Sequence, residues 1–139
     1  MGKGVTYLNP KSAPPPGMYS HVAIAEPGRI AYIAGQTSVD MNGKPVGAGD
    51  MAAQIKTVFG NMERILKELG CDFSDVLQYT TYIVGGERRE AWQKSRKDLF
   101  QTLYPGGPGT YPPNTLLVID GLANPDYVLE ISAIVRLRD

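Results

Sequence analysis

The sequence predicts an α+β domain: a mixed six-stranded sheet carrying two helices on one face. Three observations lead there. Two segments carry helical apolar spacing, six short runs are rich in β-branched and aromatic residues, and the order of the eight is ββ, then β-α-β-α-β-β. Stacking both helices on one side of the sheet is the simplest arrangement for that order.

The elements follow in chain order. Val5 to Leu8 reads as a short strand, and the Pro-rich stretch from Pro10 to Pro16 is irregular. His21 to Ala25 and Ile30 to Ala34 read as two strands joined by a turn at Glu26-Pro27-Gly28-Arg29, hence a hairpin. Asn42-Gly43 marks another turn. Asp50 to Leu69 is the clearest helix: Met51, Ile55, Val58, Phe59, Met62, Ile65, Leu66 and Leu69 form one apolar stripe, and Gly70 ends it. Ser74 is a capping candidate before the strand Val76 to Val84. Glu87 to Leu103 is the second helix, charged on one side, with Trp92, Leu99, Phe100 and Leu103 for packing, and the Gly/Pro cluster from Pro105 to Pro113 closes it. Asn114 to Leu122 and Tyr127 to Leu137 are the last strands. Tyr127, Leu129, Ile131, Ala133 and Val135 alternate on one side, and Val128, Ile134 and Leu116 place further apolar groups in these two strands. A sheet apolar on both sides is expected to pack on other subunits as well as on its own helices.

Composition narrows the class. The 139 residues fit one domain, 42% hydrophobic and 20% charged, as in an ordinary globular protein. Nothing approaches the apolar length of a membrane span, and Met1 to Pro16 has no signal-peptide stretch, so the expected location is the cytoplasm. Fourteen basic residues balance fourteen acidic ones, leaving no net field to gather nucleic acid or anionic membrane. Lys94, Arg96 and Lys97 with Arg88 and Arg89 read as a solvated helix face. A single cysteine, Cys71, excludes an internal disulfide and a cysteine metal cluster, and a single histidine, His21, excludes a multi-histidine metal site.

Generic motifs are few. Gly106-Gly107-Pro108-Gly109 lacks the lysine and the following helix of a phosphate loop. The residue that stands out is Glu130, in the apolar run Val128-Leu129-Glu130-Ile131-Ser132-Ala133-Ile134. A desolvated carboxyl favours its neutral form and serves as a general acid or base near neutral pH. The alternative is an edge strand with Glu130 turned to solvent or held in a structural ion pair.

Several segments together resemble the RidA (YjgF) family. They are Ala34-Gly35-Gln36 after a strand, Asp50-x-x-x-Gln54 opening the long helix with Asn61 further along it, and Gly70-Cys71-Asp72-Phe73-Ser74-Asp75-Val76. Thr80-Thr81-Tyr82-Ile83-Val84 and the closing Leu129-Glu130-Ile131-x-Ala133-Ile134 complete the pattern, which runs from about Tyr7 to Arg136. The resemblance implies a chorismate-mutase-like fold assembled as a homotrimer, with small-molecule pockets in clefts between subunits. It implies hydrolysis of reactive 2-imines and enamines to 2-oxo acids and ammonia, with no metal or organic cofactor.

Carried over by position, Tyr19 lines the pocket, Gly35 offers a backbone group, Glu130 positions or activates water, and Gln93 lies near the family's helix asparagine. In Pro112-Pro113-Asn114-Thr115 the sequence departs from the family's Pro-x-Arg-Ser, whose arginine clamps the substrate carboxylate. Asp120 and Ser132 also differ. Asparagine offers one neutral NH₂ where arginine offers a charged, bidentate fork. The expected consequence is carboxylate binding weaker by roughly 10–100-fold and an atypical substrate. An arginine restored at 114 is expected to reach the same cleft as Glu130. The competing reading is a non-catalytic small-molecule-binding module in the same clefts. The family's historical labels, endoribonuclease and translation initiation inhibitor, sit poorly with the neutral charge and the single His21.

Overall fold

The computed structural model describes residues 4–139. Six strands and two helices appear in the expected order: β1 (Val5–Leu8), β2 (Val22–Ala25), β3 (Ile30–Gln36), α1 (Met51–Glu68), β4 (Val76–Val84), α2 (Arg89–Leu103), β5 (Asn114–Ile119) and β6 (Leu129–Arg136). Short 3₁₀ turns at Phe73–Asp75 and Gly86–Arg88 lead into β4 and α2.

The strands divide into two sheets rather than one. β1 and β2 form an antiparallel ribbon, and the other four make a mixed sheet in the order β3-β6-β4-β5, with β4 and β5 parallel. The expected hairpin between β2 and β3 is therefore corrected: the turn exists, but β2 pairs with β1 and β3 pairs with β6. Arg136, at the end of β6, donates from Nε to the Glu26 carbonyl at 2.9 Å and from Nη2 to the Pro27 carbonyl at 2.7 Å. Its guanidinium packs so close to Gly28 that a Cβ there would stand 3.0 Å from Nη2. Those bonds hold the turn to the end of β6.

Helix α1 forms where the apolar stripe lies. Asp50 caps it by accepting from the Ala53 amide, and Gly70, at φ +71°, leaves it in the left-handed conformation that a Cβ disfavours. Its buried face (Met51, Ile55, Val58, Phe59, Met62, Leu66) meets Leu129, Ile131, Ala133 and Val135 of β6 and Tyr79 and Ile83 of β4 in one core. An aromatic cluster joins the two helices to the sheet. Phe59 lies edge-on to Tyr79 and Phe100 at 5.8 and 5.7 Å, and Phe100 meets Tyr104 at 5.2 Å. The buried hydroxyls are satisfied in series: Tyr79 bonds Tyr104 at 2.6 Å, and Tyr104 donates to the Phe73 carbonyl. Burial pushes both phenols far above their usual range. Arg96, read from sequence as part of a solvated face, is half-buried, its guanidinium 5.8 Å from both the Trp92 and Phe100 rings.

The opposite face of the four-stranded sheet has no helix. It carries Tyr32, Gln78, Thr80, Tyr82, Leu117, Glu130, Ser132 and Ile134, so it mixes polar and apolar groups where the sequence suggested an apolar surface. Tyr32 is 74% exposed there. Leu116, counted among the apolar groups of the closing strands, is also exposed. Among the described residues no helix is long and apolar enough to cross a membrane.

The C-terminal tail is fastened by charge. Asp72, rather than Ser74, caps the turn before β4, and Asp75 reaches back to the Asp72 amide in a capping box. Arg138 then bonds Asp75 from Nε at 2.8 Å and Asp72 from Nη2 at 2.9 Å. Burial of Asp72 opposes its charge, but the Ser74 hydroxyl and amide and Arg138 outweigh that effect and hold its carboxyl below the ordinary range. Breaking a buried ion pair costs about 3–5 kcal/mol. Asp75 is fully buried whereas Arg138 is 37% exposed, so Arg138→Met is expected to lower unfolding free energy by about 2–3 kcal/mol in urea at pH 7. A carboxyl depressed on folding stabilises above its unfolded pKa and ceases to as pH falls through the folded value. The gap between wild type and variant should therefore narrow below about pH 4. An unchanged urea midpoint at pH 7 would rule out the clamp.

Candidate functional site

The strands β3 and β6 lose register between Ile33 and Gln36: Ile33 stands opposite Ala133, but Gln36 stands opposite Ile131. One extra residue on β3 is thus accommodated at Ala34-Gly35, a bulge that bends the strand and re-aims its backbone. Gln36 ties the bulge back on itself by donating from Nε2 to the Ala34 carbonyl at 3.0 Å.

The bulge faces Glu130. Alternation along β6 sends Leu129 and Ile131 into the core and leaves Glu130 on the helix-free side, opposite Tyr82 of β4. A Cβ built at Gly35 would overlap the Glu130 carboxylate, so any side chain there would displace it. Gly35, Tyr82, Ile119, Gly121, Leu122, Glu130 and Ser132 line a hollow of about 390 Å³. Glu130 is the one charged side chain in that lining. A carboxylate beside two hydroxyls and a backbone bulge, with Ile119 and Leu122 as apolar wall, is suited to hold a small polar molecule and take up or return a proton.

The remaining candidate residues lie elsewhere in the chain. Tyr19 is half-buried before β2, edge-on to the His21 ring at 5.5 Å. His21 Nε2 is 2.6 Å from the Pro14 carbonyl. A second hollow, of about 420 Å³, is lined by His21, Val22, Ala23, Ala25, Leu77, Gln78, Pro113 and Ile134. Thr115 is on the same sheet face as Glu130, paired with Thr80, but outside the Glu130 hollow. Asn114 is on the other face: it stands opposite Tyr79, and its Oδ1 accepts from the buried Thr81 hydroxyl at 2.8 Å. Gln93 is exposed on α2. Within one chain, then, Gly35 and Glu130 come together, whereas Tyr19, Asn114, Thr115 and Gln93 do not join them. Burial pushes the Cys71 thiol up, which makes it a poor nucleophile.

Two hollows thus sit along the same sheet. On β4 they are centred near Gln78 and Tyr82, four residues or roughly 13 Å apart. Sequence reasoning missed the hollow's outer wall of Tyr82, Gly121 and Leu122. The signal available was Gly121, a glycine just past the end of an apolar strand run.

Comparison with known proteins agrees with this architecture. Residues 10–137 match the family model described as Endoribonuclease L-PSP. The human 2-iminobutanoate/2-iminopropanoate deaminase is 29% identical over 89 residues, and a RutC family protein of Pyrococcus abyssi is 32% identical over 83. These matches span 64% and 63% of the relatives' own lengths, and 64% and 60% of this chain. Among solved structures, the Rid-family protein YyfB of Yersinia pestis superposes with a TM-score of 0.85 at 28% identity, covering 96% of this chain and 99% of that one. Escherichia coli TdcF, solved with bound serine, has the same fold at a TM-score of 0.67, 23% identity and 91% coverage of each chain. In sequence over residues 10–137 and in fold over nearly the whole length, the chain belongs to the Endoribonuclease L-PSP family, the family of the Rid proteins.

Proposed function

We propose that this protein is a cytoplasmic hydrolase of small reactive imines or enamines, working as a homotrimer with Glu130 as its acid–base group. The observation that carries the reading is the Glu130 carboxylate lodged against the Gly35 bulge. A water held by Glu130 attacks the imine carbon and gives its proton to the carboxylate. The carboxyl returns that proton to nitrogen to give a carbinolamine. Its hydroxyl then passes its own proton through the same carboxylate to the amine as the C–N bond breaks, and the products are a carbonyl compound and ammonia. The chemistry draws on no group beyond water and a carboxyl. The kinship with the human imine deaminase supports the same reading.

The two hollows support the trimer. Gly35 and Glu130 form one half-site, and the second hollow, with Pro113 at the entry to β5 in its lining, forms the other. A head-to-tail ring joins the first half-site of one subunit to the second of the next and closes on itself. At the entry to β5 Asn114 stands where the family has its arginine, with its side chain on the helix face and its acceptor engaged by the Thr81 hydroxyl. A substrate carboxylate finds no charged fork there, so the preferred substrate departs from the amino-acid-derived 2-imines. Asn114 also favours a second reading, in which the cleft binds a small metabolite and turns nothing over.

Sedimentation or light scattering is expected to give about three times the 15.1 kDa chain mass, and a stable monomer at micromolar concentration would remove the shared cleft. Imine hydrolysis is measured by the loss of semicarbazone formed when an amine or amino-acid oxidase releases its imine into semicarbazide. Glu130→Gln is expected to lower the protein-dependent rate about 100-fold or more. Gly35→Ala should do likewise while keeping the fold. Loss of neither would assign the chemistry elsewhere. No acceleration by the wild type with any imine would favour the binding module. Pyruvate is expected to bind Asn114→Arg roughly 10–100-fold more tightly than wild type in calorimetric titration. Equal affinity would place residue 114 outside the cleft.

A further inference from the structure

Two polar residues lie on the apolar stripe of α1 and are not explained by the cleft. Gln54 is fully buried, in the middle of the apolar stripe between Met51 and Val58. Its amide is completely used: Nε2 donates to the Gly47 carbonyl at 2.9 Å and to the Asp126 carbonyl at 2.7 Å, while Oε1 accepts from the Val128 amide at 2.9 Å. Asn61 lies seven residues further on, two turns along the same stripe and about 10 Å away. Its Nδ2 donates to the Thr37 and Val39 carbonyls at 3.3 and 3.0 Å, and Arg64 donates to its Oδ1.

The targets of these bonds are the chain segments that carry the two halves of the Glu130 site. Val128 immediately precedes β6, two residues before Glu130, and the loop it ends contributes Gly121 and Leu122 to the hollow. Thr37 follows β3, two residues after Gly35. Gly49 adds a bond from its amide to the Asp126 carbonyl at 3.0 Å, and the Ser38 hydroxyl closes its own loop on the Val46 carbonyl at 2.7 Å. Ala34 and Gly35 have no residue directly opposite them on β6, because that is where the register shifts. The pairs Ile33–Ala133 and Gln36–Ile131 bound the bulge, and the flanking loops hold the chain just beyond it.

We infer that Gln54 and Asn61 are positioning residues: α1 acts as a ruler whose two amides fix the Gly35 bulge and the Glu130 strand at the separation the site requires. Helix α1 is a suitable ruler, since its own face is locked into the core on both sides of each amide. The inference rests on the Glu130 reading above, but it makes a geometric claim that stands or falls without turnover. A displacement of about 1 Å at a reacting group is enough to cost 100-fold in rate, so loops held by side-chain amides bear directly on catalysis.

The test compares Gln54→Leu and Asn61→Leu with Met62→Ala, a core truncation on the same helix, in the full-length protein. Met62 is buried and touches neither loop by hydrogen bond, so its loss reports general destabilisation. Backbone and side-chain NMR signals of Gly35 and Glu130 are read first. They are expected to move in both amide variants and to superimpose on wild type in Met62→Ala. Should Gln54→Leu fail to fold, Asn61→Asp keeps shape at a half-exposed position, removes the donors, and is expected to displace the Gly35 signal alone. The second reading is kinetic, with whichever imine the wild type hydrolyses: kcat falls about 10-fold or more in the amide variants with KM little changed, and Met62→Ala keeps its kcat. Gly35 and Glu130 signals unmoved in every amide variant overturn the inference whether or not the protein hydrolyses imines. Signals that move in a protein that hydrolyses none leave the ruler standing and remove the proposed reaction.

Discussion

Strand β6 runs between β3 and β4, hydrogen-bonded on both sides, and a strand held that way has no freedom of register. Its odd-numbered residues from Leu129 to Val135 are needed in the core under α1, so its even-numbered ones are committed to the helix-free face. Glu130 is on that face as a consequence. A slip of one residue would turn the carboxylate toward Phe59 and Tyr79 and put Leu129, Ile131 and Val135 outside, a change no local contact could offset. The catalytic reading therefore depends on a packing constraint: the core selects the parity, and the parity places the acid.

The same constraint explains why α1 matters beyond its apolar face. Buried polar side chains remain in a core only when fully bonded, and Gln54 meets that condition with three backbone partners. The helix is fastened to the sheet by hydrophobic contact in the middle and by amides toward the loops. The far end of the sheet is secured by other means. Arg138 bridges the tail to the Asp72–Asp75 turn, and Arg136 pins the turn before β3. Neither arginine touches the Glu130 hollow, so stability at one end and placement at the other are separable.

Much of this was legible in the sequence. The α1 stripe, its Asp50 cap and its Gly70 stop are local signals, and the observed helix follows them to within a residue at each end. Glu130 was visible as a charge in an apolar alternating run. What local reading could not supply was partnership. A turn at Glu26-Pro27-Gly28-Arg29 announces a reversal without saying which strand will be paired, so β2 and β3 separated into different sheets. The facing of Asn114 was hidden for the same reason: the parity of β5 relative to β6 is set through β4, between residues far apart in sequence. Gln54 left a readable trace, a polar residue three after Met51 and four before Val58 in an otherwise apolar stripe.

The central claim is that ligand chemistry happens where Glu130 meets the Gly35 bulge, in a cleft completed by a second subunit. A crystal structure of the protein soaked with the carbonyl product of an imine it hydrolyses tests that claim most directly. Density for the carbonyl compound is expected within hydrogen-bonding distance of the Glu130 carboxylate and the Gly35 backbone, with the Pro113 entry to β5 of a neighbouring copy on its far side. Density confined to a separate groove of about 800 Å³ lined by Asp40, Met41, Gly43 and Arg64, with the Glu130 hollow empty and facing solvent, would contradict it.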